Sequence, residues 1–224
     1  MSRAITTIPK PRKRRVALWA DHDDSGKPHP GRRMTEAEFV EWCDERTHAE
    51  WVNGEVIVMS PTNFNHADLN TWLTVVLRSF VEFHDPGFLV GPQVQMRLAN
   101  IVSRREPDVL FVAKSRKRII KETIINGAPD LVIEIVSPES TARDWRDKHA
   151  EYATGGIKEY WIIDPKTRKC EASALTRAKT YRLIEASDGM IHSTVLKGFY
   201  LKPSWLWQPA LPKVSEIERE LGLR

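Results

Sequence analysis

The segment DLVIEIV at residues 130–136 constrains the fold of this chain more than any other. Its aliphatic and β-branched residues are typical of a strand in a sheet that is covered on both faces. Glu134 interrupts this run at its centre, and burying a carboxylate without a partner is costly. The segment therefore predicts a central strand and also a partner for Glu134.

The residues that follow predict the direction of the next strand. Residues 141–154 have the pattern of a helix, which the pair Gly155-Gly156 ends. The segment EYWIID at 159–164 is a second apolar strand, ended by Asp164-Pro165. A strand, a helix and a strand in this order are typical of a parallel, right-handed crossover, so we expect an α/β fold.

Upstream, the sequence predicts a short helix and a hairpin. Thr35 and Glu38 are spaced as a capping box at the start of TEAEFVEWCDER. Asn53-Gly54 separates the β-prone runs AEWV and EVIVM, which is the strongest short-range signal of a β-hairpin. We therefore expect a helix that is followed directly by two antiparallel strands.

The rest of the chain supplies one long helix and further strands. Between His66 and His84, apolar residues recur at steps of three and four, which predicts a core helix of about five turns. The segments QVQMRL at 93–98 and PDVLFV at 107–112 have strand patterns. The later segments CEASAL, TYRLIEA and IHSTVL predict an antiparallel C-terminal portion that closes one side of the sheet.

The chain of 224 residues is long enough for one well-buried domain and short for two. Residues 1–33 are rich in charge, Pro and Gly and predict a flexible basic arm. We expect the folded domain at residues 34–208 and a tail or short helix at residues 209–224.

Charge and composition limit the classes of function. The net charge of +4 permits nucleic-acid binding without requiring it. The basic clusters at residues 12–15 and 116–121 could contact phosphates, but a solvated arm and a solvated loop are the favoured interpretation. No apolar run approaches the roughly 20 residues that span a bilayer, so we expect no membrane partner. The N-terminus lacks the apolar segment of a secretory signal, and two cysteines are too few for a disulfide framework, which predicts a cytoplasmic protein.

Two of the predicted central strands carry an acid. Asp108 follows Pro107 at the start of one strand, and Glu134 lies within the other. If the strands are neighbours, the two carboxylates converge and require a cation or a shared proton. Magnesium, which binds one or two protein carboxylates and keeps several waters, meets this requirement.

Lys148 is the predicted source of a further positive charge. The helix after Glu134 must run back along the sheet to reach the next strand. Two residues of strand span about 7 Å and seven residues of helix about 10 Å, so Lys148 can reach the carboxylates. Asp144 lies one turn earlier on the same helix face.

Taken together, these segments resemble the Uma family of restriction-type endonucleases, which is placed within the PD-(D/E)xK nuclease superfamily. The resemblance rests on the pair Pro107-Asp108, on PDLVIEIVSPES, on EYATGGIKEYWIID, and on AEWVNGEV and MSP followed by His66. It extends from about residue 34 to about residue 199. The resemblance implies a restriction-endonuclease-like core with a mixed β-sheet flanked by helices. It also implies cleavage of nucleic-acid phosphodiesters, most simply DNA, with Mg²⁺ or Mn²⁺.

The resemblance also implies roles for single residues. The two acids of the family fall on Asp108 and Glu134, and a third falls on Glu50, which follows Ala49 where the family has an aromatic residue. Val136 occupies the position of the superfamily lysine, and in this family Lys148 takes over. Asp108, Glu134 and Glu50, with the Ile135 carbonyl, would hold the metal. Lys148 would orient or deprotonate the attacking water, or neutralise charge on the phosphorane.

Each candidate also has a purely structural interpretation. Asp108 could cap a turn, and Glu134 could form a buried salt bridge with Arg97 or Arg143. Lys148 could be a surface lysine that pairs with Asp144 and Glu151. Glu55, across the hairpin, could replace Glu50, and His66 could cap or pack the helix rather than act near the site.

Two alternatives to a nuclease remain open at this point. Val136 and Ala49 depart from the family pattern, which fits a nucleic-acid- or partner-binding module that has lost catalysis. A hydrolase with two carboxylates, of the glycosidase kind, fits the acids but not Lys148. Because nucleases of this kind often cut both strands as dimers, a homodimer is also expected.

Overall fold

The computed structural model describes residues 33–43, 47–137 and 143–224, with side chains from residue 146 onward in the last range. These residues form two compact units, one up to Met59 and one at Ser60–Arg224. Apart from Arg33, the predicted N-terminal arm at residues 1–33 lies outside the described residues, so its prediction stands as made.

The first unit contains the predicted helix and hairpin. Helix α1 covers Glu36–Trp42, and strands β1 and β2 cover Ala49–Val52 and Glu55–Val58. The Thr35–Glu38 capping box is present. Asn53 and Gly54 both have positive φ, as a tight hairpin turn requires. The buried side chains of this unit form a small core, made of Phe39, Ala49, Trp51 and Val56.

The second unit begins with the predicted long helix, α2, at Phe64–His84. The Asn63 side chain accepts a hydrogen bond from the His66 amide and caps the helix start. Asp85 adopts the left-handed conformation that ends it. The residues that the 3.6-residue period marked as apolar, Leu69, Trp72, Leu73, Val76, Leu77, Phe80 and Val81, are all buried.

Strands and short helices complete the second unit. The strands are β3 (Gly87–Val90), β4 (Gln95–Leu98), β5 (Ser103–Arg105), β6 (Val109–Ala113), β7 (Ile124–Asn126), β8 (Leu131–Ile135), β9 (Glu159–Asp164), β10 (Lys169–Leu175), β11 (Tyr181–Leu183), β12 (Ile191–His192) and β13 (Tyr200–Leu201). The helices are α3 (His149–Gly155), α4 (Pro203–Leu206) and α5 (Val214–Glu220), with a 3₁₀ helix at Lys114–Ile119 and a π-helix at Arg143–Lys148. Helix α5 lies within the segment 209–224, for which a tail or short helix is predicted.

The main sheet has six strands in the order β11-β10-β9-β8-β6-β3. Strands β8 and β9 are parallel, and the other neighbours in this sheet are antiparallel. The predicted strand–helix–strand unit is therefore present, with α3 ended by Gly156 at φ 91°. The predicted antiparallel C-terminal portion is also confirmed, because β10 and β11 extend the sheet beyond β9. The fold is a mixed α/β fold, as the sequence indicates.

Both faces of the sheet are covered. The odd residues of β8, Leu131, Ile133 and Ile135, belong to the core that includes α2. Val132 on β8 and Val136, which directly follows the strand, belong to a second core that includes Tyr152 of α3. Glu134 has the same parity as this second set, so its side chain leaves the sheet on the α3 face.

The connections and the C-terminal segment complete this unit. The basic connection after β6, which the sequence left unassigned, forms the 3₁₀ helix and then β7, which pairs in parallel with β4. The C-terminal segment packs on α2, where the Trp72 indole donates to the Pro212 carbonyl at 2.7 Å. Within the described part of the chain, no helix has both the length and the apolar character needed to cross a bilayer.

Candidate active site

Glu134 is buried near the end of β8, a central strand of the main sheet, and has a cation as its partner. It lies on β8, between β6 and β9, and is 3% exposed. Its Oε1 lies 2.9 Å from the Lys148 Nζ. The Tyr152 hydroxyl donates to the same oxygen at 2.7 Å. The structure thus supplies the partner that the position of Glu134 requires.

Lys148 reaches Glu134 because the chain turns back over the sheet after β8. It is the last residue of the π-helix and directly precedes α3. Single π turns are frequent at functional sites, and residues four apart on a helix lie on one side. Lys148 and Tyr152 therefore both face Glu134.

These contacts bear on the structural alternatives for Lys148 and Glu134, and a buried salt bridge at Glu134 is present. Lys148 is 2% exposed, so its interpretation as a surface lysine is wrong. Glu151, its proposed surface partner, instead pairs with Arg105. The sequence left Arg97 or Arg143 open as the partner of Glu134, and the structure places Lys148 there.

Asp108 lies beside Glu134 at the same end of the sheet. Val109 on β6 is opposite Ile133 on β8, so one step further Asp108 is opposite Glu134. The Asp108 Oδ2 accepts a hydrogen bond from the Ile135 amide at 2.7 Å. The predicted adjacency of the two acidic strands is therefore present, and Asp108 is tied to the residue that follows Glu134.

Helix α2 provides two further contacts to Asp108. The His66 Nε2 lies 2.9 Å from Oδ1, and the Asn70 amide donates to Oδ1 at 3.4 Å. His66 and Asn70 are four residues apart, on one face of the first two helical turns. The interpretation of His66 as only a capping or packing residue is therefore incomplete, because its ring contacts a candidate acid.

Helix α3, which directly follows Lys148, is fixed to strand β5 by a buried ion pair. The Arg105 guanidinium on β5 donates from Nε to the Glu151 Oε1 on α3 at 3.1 Å, and from Nη2 to the Glu151 Oε2. Arg105 is 1% exposed. A buried, two-point contact of this kind holds its partners in one geometry. Arg105 thus limits the movement of α3, and with it the positions of Lys148 and Tyr152.

The remaining predicted residues are placed as follows. Glu50 is fully buried on the face of β1 opposite Ala49 and Trp51, whereas Glu55 is exposed. Burial thus distinguishes Glu50 from Glu55, and the role of Glu50 as a metal ligand stays a prediction. Asp144 lies in the π-helix, and its side chain lies outside the described part.

Val136 occupies the position of the superfamily lysine. It is buried, and it has the parity of Glu134 on the α3 face of the sheet. Lys148 supplies a cation to that face from the helix rather than from the strand. The departure from the superfamily pattern therefore leaves a lysine beside the second acid.

Sequence reasoning missed Tyr152 and Asn70. A tyrosine in an amphipathic helix normally indicates packing, and nothing in its spacing shows that its hydroxyl reaches a carboxylate. Asn70 had a weak signal, because it is a polar residue on the buried face of α2 and lies one turn after His66.

The donors at this end of the sheet are hard oxygen atoms. In the described residues, no group of three or more His, Cys, Asp or Glu side chains has the arrangement of a metal site. Magnesium, however, needs only one or two carboxylates because it keeps several waters. Asp108 and Glu134, with the carbonyl of Ile135, fit that requirement.

Comparisons with known proteins show the family and the fold of this chain. A family model for Uma2, described as "Putative restriction endonuclease", matches residues 36–204. The crystal structure of a "putative nuclease belonging to DUF820" from Anabaena variabilis is similar, with a TM-score of 0.65 and 17% sequence identity. The similarity covers 78% of this chain and 97% of that chain, and it shows a shared fold. No curated protein matches the sequence.

Proposed function

We propose that this chain, which belongs to the Uma2 family, is a divalent-metal-dependent endonuclease that hydrolyses phosphodiester bonds, most simply those of DNA. The observation that supports this most is the placement of Asp108 opposite Glu134, with Lys148 buried beside Glu134. A purely structural ion pair would explain Lys148 and Glu134 but would not require a second acid on the neighbouring strand.

The proposed metal is Mg²⁺ or Mn²⁺. Asp108 and Glu134 would hold it through carboxylate oxygens, together with the Ile135 carbonyl, and Glu50 is the predicted additional acid. When bound, such an ion polarises the phosphate and lowers the pKa of a bound water. These donors fit a hard cation better than a soft one because they include neither sulfur nor, in the ligand set itself, imidazole.

The protein groups around the acids have separate roles in this proposal. The Lys148 ammonium is fixed beside Glu134, where it would orient the attacking water and offset negative charge that develops on the phosphate. His66 and Asn70 hold the Oδ1 of Asp108, and the Ile135 amide holds its Oδ2. The site therefore has its acids positioned before substrate arrives, as efficient catalysis requires.

The family description, a restriction endonuclease, supports a nucleic-acid substrate. We propose DNA as the polymer and a homodimer as the form that cuts both strands. Phosphate contacts position a nuclease on its substrate, whereas base contacts give sequence specificity.

A plasmid-cleavage assay tests the proposal. The full chain is incubated with supercoiled DNA and Mg²⁺ or Mn²⁺, beside the variants Asp108→Asn and Asp130→Asn. Asp130 is the matched control, because it also precedes a strand of the main sheet but lies at the other end of it. We expect wild type and Asp130→Asn to cut and Asp108→Asn to be inactive.

Two results would contradict the proposal. Equal cleavage by all three proteins would show that the cleavage does not depend on Asp108. DNA binding by folded wild type without cleavage, with either metal, would favour a binding module that has lost catalysis.

A further inference from the structure

We propose that Tyr152 determines the metal selectivity of this site by fixing the direction of the Glu134 carboxylate. This inference rests on the proposed function, because it presumes a divalent ion at Glu134. It assigns Tyr152 as a positioning residue that acts through Glu134 rather than on substrate.

The contacts at Glu134 place two donors on one oxygen. The Tyr152 hydroxyl lies 2.7 Å from Oε1, and the Lys148 Nζ lies 2.9 Å from the same atom. A carboxylate is rigid and planar. Once Oε1 is held between two donors, the direction of Oε2 is fixed as well.

Tyr152 can impose this direction because its own ring is held in place. The side chain is fully buried on α3, in the core that covers this face of the sheet. Its ring packs edge-on against Tyr160, with ring centroids 5.0 Å apart. The Arg105–Glu151 ion pair secures the same helix one residue earlier. Since a tyrosine has only two side-chain torsions, a fixed ring fixes the hydroxyl oxygen.

A fixed carboxylate has a consequence for the choice of ion. Mg²⁺ demands nearly ideal octahedral geometry at short distances, whereas Ca²⁺ accepts one or two oxygens of a carboxylate at longer and more variable distances. A carboxylate that cannot turn is therefore suited to Mg²⁺, and one that can turn also suits Ca²⁺. Tyr152 should favour Mg²⁺ over Ca²⁺.

The chain offers a matched control in Tyr181. Its ring lies 6.0 Å from that of Tyr160, in the same aromatic cluster. Its hydroxyl donates at 2.9 Å to the backbone carbonyl of Ile157 and not to a carboxylate. Tyr181→Phe thus removes a tyrosine hydroxyl from the same core without touching Glu134.

The experiment measures metal affinities and needs no substrate. Mn²⁺ bound to the full chain is followed by electron paramagnetic resonance, and Mg²⁺ and Ca²⁺ are added as competitors. Wild type, Tyr152→Phe and Tyr181→Phe are compared after circular dichroism has shown that they are folded. We expect Tyr152→Phe to lower the ratio of Mg²⁺ to Ca²⁺ affinity about tenfold, the size of effect typical of groups that orient a metal ligand. Tyr181→Phe should leave the ratio unchanged.

A second substitution separates loss of the donor from loss of packing. Replacement of Tyr152 by para-aminophenylalanine keeps the ring and supplies a weaker N–H donor, so the ratio should lie between those of wild type and Tyr152→Phe. If Tyr152→Phe does not fold, the para-aminophenylalanine protein alone tests the inference. A ratio of Mg²⁺ to Ca²⁺ affinity equal to that of wild type would then overturn it.

The remaining outcomes are distinguishable. Equal ratios in wild type and Tyr152→Phe would overturn the inference and leave the proposed metal site standing. Equal reductions in Tyr152→Phe and Tyr181→Phe would also overturn it, because packing would then be the cause. Failure of folded wild type to bind Mn²⁺ would overturn both the inference and the proposed function.

Discussion

The two ends of the paired strands β8 and β9 both carry buried acids, and the surroundings of these acids differ. At the starting end, Glu159 accepts hydrogen bonds from Trp161 at 2.6 Å and from Ser193 at 2.7 Å on Oε1. The amides of Thr194 and Val195 donate to Oε2 at 2.6 Å and 3.0 Å. At the other end, Glu134 has a lysine and a tyrosine, both on Oε1.

If the proposed function is correct, this difference separates a structural carboxylate from a catalytic one. Glu159 accepts hydrogen bonds from neutral donors on both oxygens. These donors lie on β9 itself and on residues 193–195, so the carboxylate connects two segments of the chain. Such a carboxylate stabilises the fold and has little need of a metal. Glu134 has a buried cation and a second acid, Asp108, on the neighbouring strand. That combination is typical of a site where charge changes during a reaction.

The largest predicted difference between the two ends is in cleavage. Glu134→Gln keeps the shape of the side chain but removes its charge, so plasmid cleavage should fall more than about 100-fold. Glu159→Gln, assayed at a temperature at which it is folded, should cut as wild type does. Similar losses of cleavage in Glu134→Gln and Glu159→Gln would show that the two carboxylates do not have different roles.

The second prediction concerns Lys148, the cation beside Glu134. Lys148→Met removes the positive charge beside the buried Glu134, so the free energy of unfolding should fall by about 3 kcal/mol without metal. Added Mn²⁺ should recover part of this loss, because the ion replaces the missing charge and binds only the folded state. Urea unfolding with and without Mn²⁺ measures both values. A loss that Mn²⁺ does not change would contradict a shared site for Lys148 and the metal.

The third prediction concerns stability at the starting end. Glu159→Gln places an amide N–H₂ among donors and should lower the free energy of unfolding by about 2 kcal/mol. Mn²⁺ affinity should be unaffected, since no described contact links Glu159 to Glu134. Urea unfolding and Mn²⁺ titration of the same sample provide the check. Weaker Mn²⁺ binding by folded Glu159→Gln would contradict the assignment of separate roles to the two ends.

The smallest predicted effect is a pH dependence at Asp130, which also lies at the starting end. Burial alone would raise the pKa of Asp130, but the ion pair with Lys158, the hydrogen bond from the Ala113 amide and the ion pair with Arg116 together hold it below its ordinary value of 3.8. Its contribution to stability is therefore complete above about pH 4 and is lost as the pH falls through the lowered pKa.

The variant Asp130→Asn tests the direction of this pKa shift. Because both cations are partly exposed, the variant should lose about 1 kcal/mol of unfolding free energy at pH 7. The difference in unfolding free energy between wild type and the variant, here called the gap, should stay constant down to about pH 4 and narrow below it. Urea unfolding at a series of pH values measures the gap. A gap that widens in acid would mean that the direction of the pKa shift is wrong.

Local patterns made much of this fold predictable. The Asn53-Gly54 turn, the long helix α2 and the buried strands β6 and β8 all follow from short-range signals. The position of Lys148 near Glu134 could also be predicted from the sequence. The rise of a helix and the direction of a crossover determine how far the chain returns along the sheet.

The parts that could not be predicted depend on long-range partners. The parallel pairing of β4 with β7 joins segments about thirty residues apart, and neither carries a signal for the other. The Tyr152–Glu134 hydrogen bond and the Arg105–Glu151 ion pair join side chains from separate segments of the chain. Periodicity gives the face on which such residues lie but not the atom that they reach.

Titration of Mn²⁺ into the folded full chain tests the central claim most directly, with Glu134→Gln and Asp130→Asn as the comparison proteins. The account predicts that wild type and Asp130→Asn bind the ion and that Glu134→Gln does not. Equal binding by all three proteins, or no binding by wild type, would contradict it and leave Glu134 with the same structural role as Glu159.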